Sequence, residues 1–192
     1  MGSSFSSEDN TIVLDASAAG HLDILKYLKK EWTLEIAIQC IHEAIKGGHT
    51  HIIEHISDKI EWDDSHICEC IEDTVKYGNL ELLEYFNSRL DKCYSGDKIR
   101  NYIVSACSNV DDLNCLAIIK FIEHETNFED WDICFVRECV MNAINVDNIE
   151  TMKYIGRKCS ENSKFQNDYI EAALQVRHFE IASYLIENSE IA

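Results

Sequence analysis

Apolar residues recur along this chain with helical spacing, and one apolar phrase returns about every thirty residues. Its first copy is the stretch 20–28, Gly-His-Leu-Asp-Ile-Leu-Lys-Tyr-Leu. Five further copies begin at Gly48, Gly78, Asn114, Asp147 and Arg177. A repeat length of roughly 20 to 45 residues is typical of stacked helical units rather than of one closed globule.

Each copy follows a second apolar stripe, so the two stripes predict a helix–turn–helix unit. Before Gly48, Ile38, Ile41 and Ile45 fall on one face of a helix. Gly20, Gly48 and Gly78 suit a left-handed residue at the end of the first helix. A small residue stands four positions before the turn in five of the six copies: Ala16, Ala44, Thr74, Ala143 and Ala173.

Proline is absent, although average usage would give about ten in 192 residues. Because proline interrupts helices, its absence favours an all-α fold. The second helix is expected to bury the pattern Leu22-x-Ile24-Leu25-x-x-Leu28. The fourth copy carries extra residues, 108–113, which we expect to form a longer surface turn.

The stretch from Thr11 to His21 resembles the ankyrin-repeat phrase T-P-L-H-x-A-A-x-x-G-H. Thr11, Ala16, Gly20 and His21 match it directly, while Ile12 replaces the proline and Leu14 the histidine. The resemblance implies an all-α, ankyrin-like solenoid of about six helix–turn–helix units. It predicts a flexible lead over residues 1–10 and a repeat domain over 11–192.

The formal net charge of −18 indicates which class of partner to expect. A strongly acidic surface repels phosphate backbones, so nucleic-acid binding is not expected. A protein partner with a basic patch fits this charge better. Nine scattered cysteines, without a secretory signal, favour a cytoplasmic location, either in the cell of origin or in a host cell, because reduced thiols are typical of that compartment.

Three tryptophans open repeats in a shared way, and acidic residues follow two of them. We expect the residue after each ring (Thr33, Asp63 or Asp132) to cap the next helix, and the ring to cover the seam between repeats. Tryptophan is also a favoured interface anchor. The partner-binding candidates are therefore Trp32, Trp62, Asp63, Asp64, Asp130, Trp131 and Asp132.

Histidines and cysteines raise the question of a metal site. His51 and His55 are four residues apart, a spacing that can hold zinc, with His66, Cys68 and Cys70 one repeat away. However, Cys68-x-Cys70 lacks the two-residue gap of a zinc knuckle. In the ankyrin family, the histidine matched by His49 is structural and bonds across the repeat turn. We predict no metal site and no cofactor.

No pattern indicates catalysis. The chain has no nucleophile elbow and no phosphate-binding glycine loop, and its acidic pairs are typical of solvated helix ends. We therefore predict a chain that is not an enzyme. A metal-dependent enzyme would require zinc bound in stoichiometric amount.

The first residues, Met-Gly-Ser-Ser-Phe-Ser, fit the pattern for attachment of myristate to Gly2. One such chain binds membranes only marginally, so membrane association depends on lipidation of Gly2.

Resemblance to ankyrin proteins implies a non-enzymatic scaffold for protein–protein interaction. The degenerate, proline-poor repeats resemble those of large DNA viruses and some protists, which implies a modulator of host signalling that binds a host or cellular protein. The alternative is an N-myristoylated peripheral membrane or virion protein with an architectural role.

Overall fold

The computed structural model describes residues 7–28, 32–89 and 95–189. Over these residues the chain is all-helical, with twelve α-helices, one short 3-10 helix and no strand. It divides into two compact units, Met1–Cys93 and Tyr94–Ala192, and each unit has its own core. The single predicted domain over 11–192 is thus divided near its middle.

Unit 1 contains three helix pairs, each formed by a longer first helix and a shorter second helix. Their bounds are α1 Ser7–Ala18, α2 Leu22–Leu28, α3 Leu34–Lys46, α4 Thr50–Ser57, α5 Asp64–Tyr77 and α6 Leu80–Asn87. The first helices pack in order, α1 against α3 and α3 against α5. Ile41, Ile45, Ile52 and Ile53 are buried between them and their partner helices.

Unit 2 repeats this arrangement with a longer second helix in its first pair. Its elements are α7 Gly96–Cys107, α8 Asp112–Thr126, α9 Ile133–Asn145, α10 Ile149–Gly156, the 3-10 helix Ser160–Phe165, α11 Gln166–Gln175 and α12 Phe179–Ser189. Helix α9 packs against α7 and α11, and α10 packs against α8 and α9. Val136, Cys139 and Val140 of α9 are buried in this core.

The turn within a pair has the same geometry in five of the six copies. Its left-handed residue has φ near +70°: Gly20, Gly48, Gly78, Asp147 and Arg177. The next residue donates its backbone N–H to the carbonyl of the small residue five positions earlier, as from His49 to Ala44 at 2.9 Å. This is the Schellman motif, which satisfies the carbonyls left unpaired at a helix end.

The small residues lie where neighbouring helices approach each other. Ala44, Ala143 and Ala173 are fully buried, and so is Thr74. Since each one accepts the bond that closes the turn, the same position fixes the turn and the packing distance between helices. The prediction of left-handed glycines at Gly20, Gly48 and Gly78 is confirmed.

Three local expectations were wrong. Helix α1 begins at Ser7, inside the predicted flexible lead, with Asp9 in a first turn whose dipole favours an acid. In α2 Leu25 is buried but Ile24 is exposed, because the structure describes no helix pair on that side of α2. In the fourth copy, Asp111 caps α8, so Asp112 and Leu113 form a helical turn rather than surface loop.

Candidate functional site

Trp62 lies between two helix pairs of unit 1. The residue is half-buried, and its indole Nε1–H donates to the carbonyl of Ser57 at the end of α4 at 3.3 Å. Its ring meets that of Phe86 on α6 edge-on, with centroids 5.9 Å apart. One side chain thus connects the second helices of consecutive pairs, which is the seam position predicted for it.

Trp131 has the corresponding place in unit 2. Its indole Nε1–H donates to Glu123 Oε1 at 3.0 Å, and its ring lies 5.5 Å from Phe128 and 5.2 Å from Phe135. Trp32 is also half-buried and directly precedes α3. All three rings are half-buried, and those of Trp62 and Trp131 contribute to the packing between helices.

The residues after the tryptophans cap the next helices, as predicted. Thr33 accepts from the backbone N–H of Ile36, and Asp63 accepts from that of His66 at 2.9 Å. Asp132 accepts from Cys134 and Phe135 at 2.9 and 3.0 Å. Each cap fixes the first turn of the helix that follows it.

The two acidic pairs predicted to bind a partner differ in their surroundings. In unit 2, Asp130 and Asp132 each lie 2.6 Å from Nη2 of Arg100 on α7, whose guanidinium stacks 4.6 Å from the ring of Phe135. In unit 1, Asp63 and Asp64 are exposed at the start of α5, and Asp63 Oδ1 lies 2.9 Å from Nδ1 of His66. The arginine offsets the charge only in unit 2.

The pKa of the Asp132 carboxyl lies below its usual range. The largest cause is the hydrogen bond from the backbone N–H of Phe135, followed by that from the Arg100 guanidinium. Both favour the ionised carboxylate over the neutral acid. Asp132 therefore acts as a charged cap that also anchors the preceding first helix.

An arginine that pairs with aspartate and stacks on an aromatic ring, an arrangement called here the arginine clasp, occurs again one helix pair later. Arg137 lies at the position on α9 that Arg100 has on α7. It lies 3.2 Å from Asp168 on α11, and its guanidinium is 4.7 Å from the ring of Phe165. The two arginines thus join the first helices of consecutive pairs.

A half-buried polar network around Glu123 was not predicted. Lys158 Nζ lies 2.6 Å from Glu123 Oε1 and 2.9 Å from the Tyr154 hydroxyl, which itself donates to Glu123 Oε2. Burial and the Glu123 carboxylate raise the pKa of Tyr154. A tyrosine held in its neutral form keeps its hydroxyl proton for the Glu123 carboxylate, and this bond joins α10 to α8.

Lysines and aromatics form a second pattern that connects helix pairs. Within the repeated phrase, a lysine often precedes an aromatic residue, as in Lys120-Phe121 and Lys153-Tyr154. Lys120 Nζ lies 5.2 Å from the ring centre of Tyr154, and Lys153 Nζ lies 4.7 Å from that of Tyr184. The lysine of one second helix thus covers the aromatic ring of the next. The recurrent dipeptide was the sequence signal for this contact.

The histidines considered for a metal are held by other groups. His49 Nε2–H donates to the carbonyl of Ala18, and His51 Nε2–H to that of Gly20, each at 3.0 Å. Burial, and then Lys59 and Lys26, lower the pKa of His55. No group of three potential metal ligands occurs among the described residues.

Eight cysteines fall within the described residues, and all of them are free thiols. Six are buried, and burial raises the pKa of Cys40 and of Cys115 to about 11. A thiol with a raised pKa is a poor nucleophile at neutral pH.

Gly2, the lipidation candidate, lies outside the described residues. Among the helices that the structure does describe, none has the length and apolar composition required to cross a bilayer.

We compared the chain with protein-family models, with curated proteins and with solved structures, and no match was found in any of the three.

Proposed function

We propose that this chain is a non-enzymatic protein-binding scaffold built from ankyrin-like helical repeats. The observation that carries the proposal is the turn that recurs in five copies, with a left-handed residue and a backbone bond to a buried small residue. Repeated packing units leave exposed positions that are available for recognition.

Contacts between helix pairs further support the repeat architecture. The His49 imidazole bonds to the end of α1, and the Asp112 carboxylate accepts from the backbone N–H of Glu150 and Thr151 at the start of α10, both at 2.9 Å. These contacts join residues roughly one repeat apart. They hold successive pairs in register and require no ligand.

The partner that fits this scaffold carries a basic patch. The formal charge is −18, and Asp63 and Asp64 at the start of α5 are both exposed. Asp63 and Asp64 together contribute two negative charges. Asp130 and Asp132 share Arg100, so that trio contributes only one. We therefore place the main contact at Asp63 and Asp64, beside the exposed edge of Trp62.

The test is affinity capture from cell extract on a chain immobilised through its C-terminus, followed by mass spectrometry. The variant Asp63→Ser/Asp64→Ser removes both charges, and serine retains a good capping oxygen. Its matched control, Glu180→Gln/Glu187→Gln, removes two exposed acids from α12.

The proposal expects one dominant protein whose recovery falls at least tenfold with the serine variant, is unchanged with the glutamine control and weakens with salt. Equal recovery on all three surfaces, or no specific protein on any, would contradict the proposal.

A further inference from the structure

The helix pair α1/α2 exposes apolar side chains at positions that are covered elsewhere. Ile12 is 47% exposed, Ile24 is 36% exposed and Tyr27 is 83% exposed. We call these three residues the N-terminal face. The residues at the position of Ile12 in the later copies are 2% exposed or less: Cys40, Cys70, Tyr102, Cys139 and Tyr169.

The positions of Ile24 and Tyr27 are also less exposed in the later copies. The residues that correspond to Ile24 are fully buried: Ile52, Leu82, Ile118, Thr151 and Ile181. Those that correspond to Tyr27 are half-buried: His55, Tyr85, Phe121, Tyr154 and Tyr184. The α1/α2 pair therefore carries the side chains of a packing surface without a preceding helix pair such as those that cover α3/α4 and α5/α6 within unit 1.

The pair α11/α12 exposes the complementary side of this contact between helix pairs. Leu174 is 47% exposed, Phe179 is 63% exposed and Ile186 is 45% exposed. We call these three residues the C-terminal face. The residues at the position of Leu174 in the earlier copies are 1% exposed or less: Ser17, Ile45, Val75, Cys107 and Ile144.

Contacts inside each unit show how the two halves fit together. In unit 1 helices α1 and α3 pack on each other, and Ser17, at the position of Leu174, and Cys40, at the position of Ile12, are both fully buried. In unit 2 helices α7 and α9 pack on each other, and Cys107 and Cys139, at the same two positions, are both fully buried. The packing of one helix pair on the next thus brings the Leu174 position against the Ile12 position.

We propose that two copies of this chain associate head to tail, with the C-terminal face of one copy packed on the N-terminal face of the other. Leu174 then packs on Ile12 of the second copy, as α1 packs on α3 within unit 1. Ser183 stands where Lys120 and Lys153 precede their aromatics. Its small side chain leaves Tyr27 to pack beside Ile186, which lies one helical turn further along α12.

The charge of the chain sets the conditions for this association. Two copies with a formal charge of −18 each repel one another, and this repulsion is screened over about 10 Å at 0.1 M salt. The apolar contact itself is small, since it involves one helix pair from each copy. Association should therefore be weak and should increase with ionic strength, the reverse of the salt dependence expected for a basic partner.

The test is sedimentation velocity of the full chain at increasing concentration in low and high salt. The expected result for the 22.1-kDa chain is a weight-average mass that roughly doubles near 100 μM in 0.5 M salt. The variants Leu174→Gln/Ile186→Gln and Ile12→Gln/Ile24→Gln leave the net charge unchanged, and each should remain monomeric. The control Leu113→Gln changes an exposed leucine of α8 and should associate like the unaltered chain.

Mixing the two double variants distinguishes this contact from a symmetric one. One variant retains its C-terminal face and the other its N-terminal face, so the mixture should form dimers that grow no further. The unaltered chain retains both faces, so its association is not limited to dimers, because a heterologous contact forms either a ring or an open chain of copies. Circular dichroism of each variant verifies that it is folded.

A chain that stays monomeric in high salt, or folded variants that associate as well as the unaltered chain, would overturn the inference. A mixture that fails to associate would do the same. The Asp63→Ser/Asp64→Ser variant retains both faces and should self-associate normally. Failure of head-to-tail association therefore leaves the proposed basic partner unaffected, and loss of the basic partner leaves this test unaffected.

Discussion

The imidazole Nε2 of His49 lies 3.0 Å from the carbonyl oxygen of Ala18, thirty-one residues earlier in the chain. The side chain that opens one second helix thereby satisfies a carbonyl at the end of the preceding first helix. The ring also fills the space beside Gly20 and Gly47, where an added Cβ would meet it at 2.8 and 2.5 Å. His49 therefore acts as a tie between two helix pairs.

Replacing His49 with alanine should reduce the free energy of unfolding by about 1 kcal/mol, because one hydrogen bond and the ring contacts with the glycines are lost. Urea titration followed by circular dichroism measures the change. The control His124→Ala removes an exposed histidine and should change stability by less than about 0.5 kcal/mol. Equal losses in the two variants would show that the His49 tie contributes nothing.

Two left-handed glycines should differ in their response to alanine. Gly20→Ala and Gly48→Ala both place a Cβ at positive φ, which costs about 1 to 2 kcal/mol. At Gly48 the new Cβ meets Asn79 at an ordinary 3.4 Å, whereas at Gly20 it meets the His49 ring at 2.8 Å. Gly20→Ala should therefore reduce the free energy of unfolding by about 1 kcal/mol more than Gly48→Ala does.

A double-mutant cycle measures the energetic cost of the clash between the new Cβ at position 20 and the His49 ring. Combining Gly20→Ala with His49→Ala removes the clash, so the pair should lose less stability than the sum of the single changes. Strict additivity would mean that the ring moves aside without cost.

Arg177 has φ +65°, a conformation that is unfavourable for a side chain with a Cβ. Arg177→Gly should therefore raise the free energy of unfolding of unit 2 by about 1 kcal/mol. The same change at Arg157, which has a right-handed backbone, should give no gain. Thermal unfolding of the two variants makes the comparison, and a loss of stability in Arg177→Gly would contradict the assigned turn.

Asp132 makes stability depend on pH in a defined direction. Its pKa is lowered in the folded chain, so its contribution is complete above the ordinary aspartate pKa near 4 and is lost as the pH falls through the lower, folded value. Acidification from about pH 5 to 3 should therefore destabilise the unaltered chain more steeply than Asp132→Asn, which retains a capping side chain.

The matched variant Glu180→Gln also removes one carboxylate but does not contact Arg100. It should retain the steep dependence of the unaltered chain when the urea midpoint is followed over the same pH range. Identical slopes for Asp132→Asn and the unaltered chain would rule out Asp132 as the source.

Local signals in the sequence predicted the helices, the left-handed glycines and the caps at Thr33, Asp63 and Asp132, because each depends on residues only a few positions apart. The left-handed conformation of Asp147 and Arg177 was not predicted. No glycine marks these positions, and the turn is set there by the bond to Ala143 or Ala173 and by packing around it.

Contacts between helix pairs were harder to predict, since they depend on how far each pair is rotated against the next. The Asp112 cap of α10 and the Glu123 network are of this kind, and both occur in the pair whose turn departs from the others. The predicted partner site was only partly free for binding. The clasp at Asp130 and Asp132 requires Arg100, thirty residues earlier, which no local pattern connects with them.

Because cysteines are buried in the cores of both units, their reaction with an alkylating reagent reports when each core opens. Cys40 and Cys70 belong to unit 1, and Cys107 and Cys139 to unit 2, and all four are inaccessible in the folded chain. Cys134, on the surface of α9, is exposed. A brief pulse of an alkylating reagent should label Cys134 at once and the others only as each core opens. The order in which these four thiols are labelled therefore shows which of the two units unfolds first.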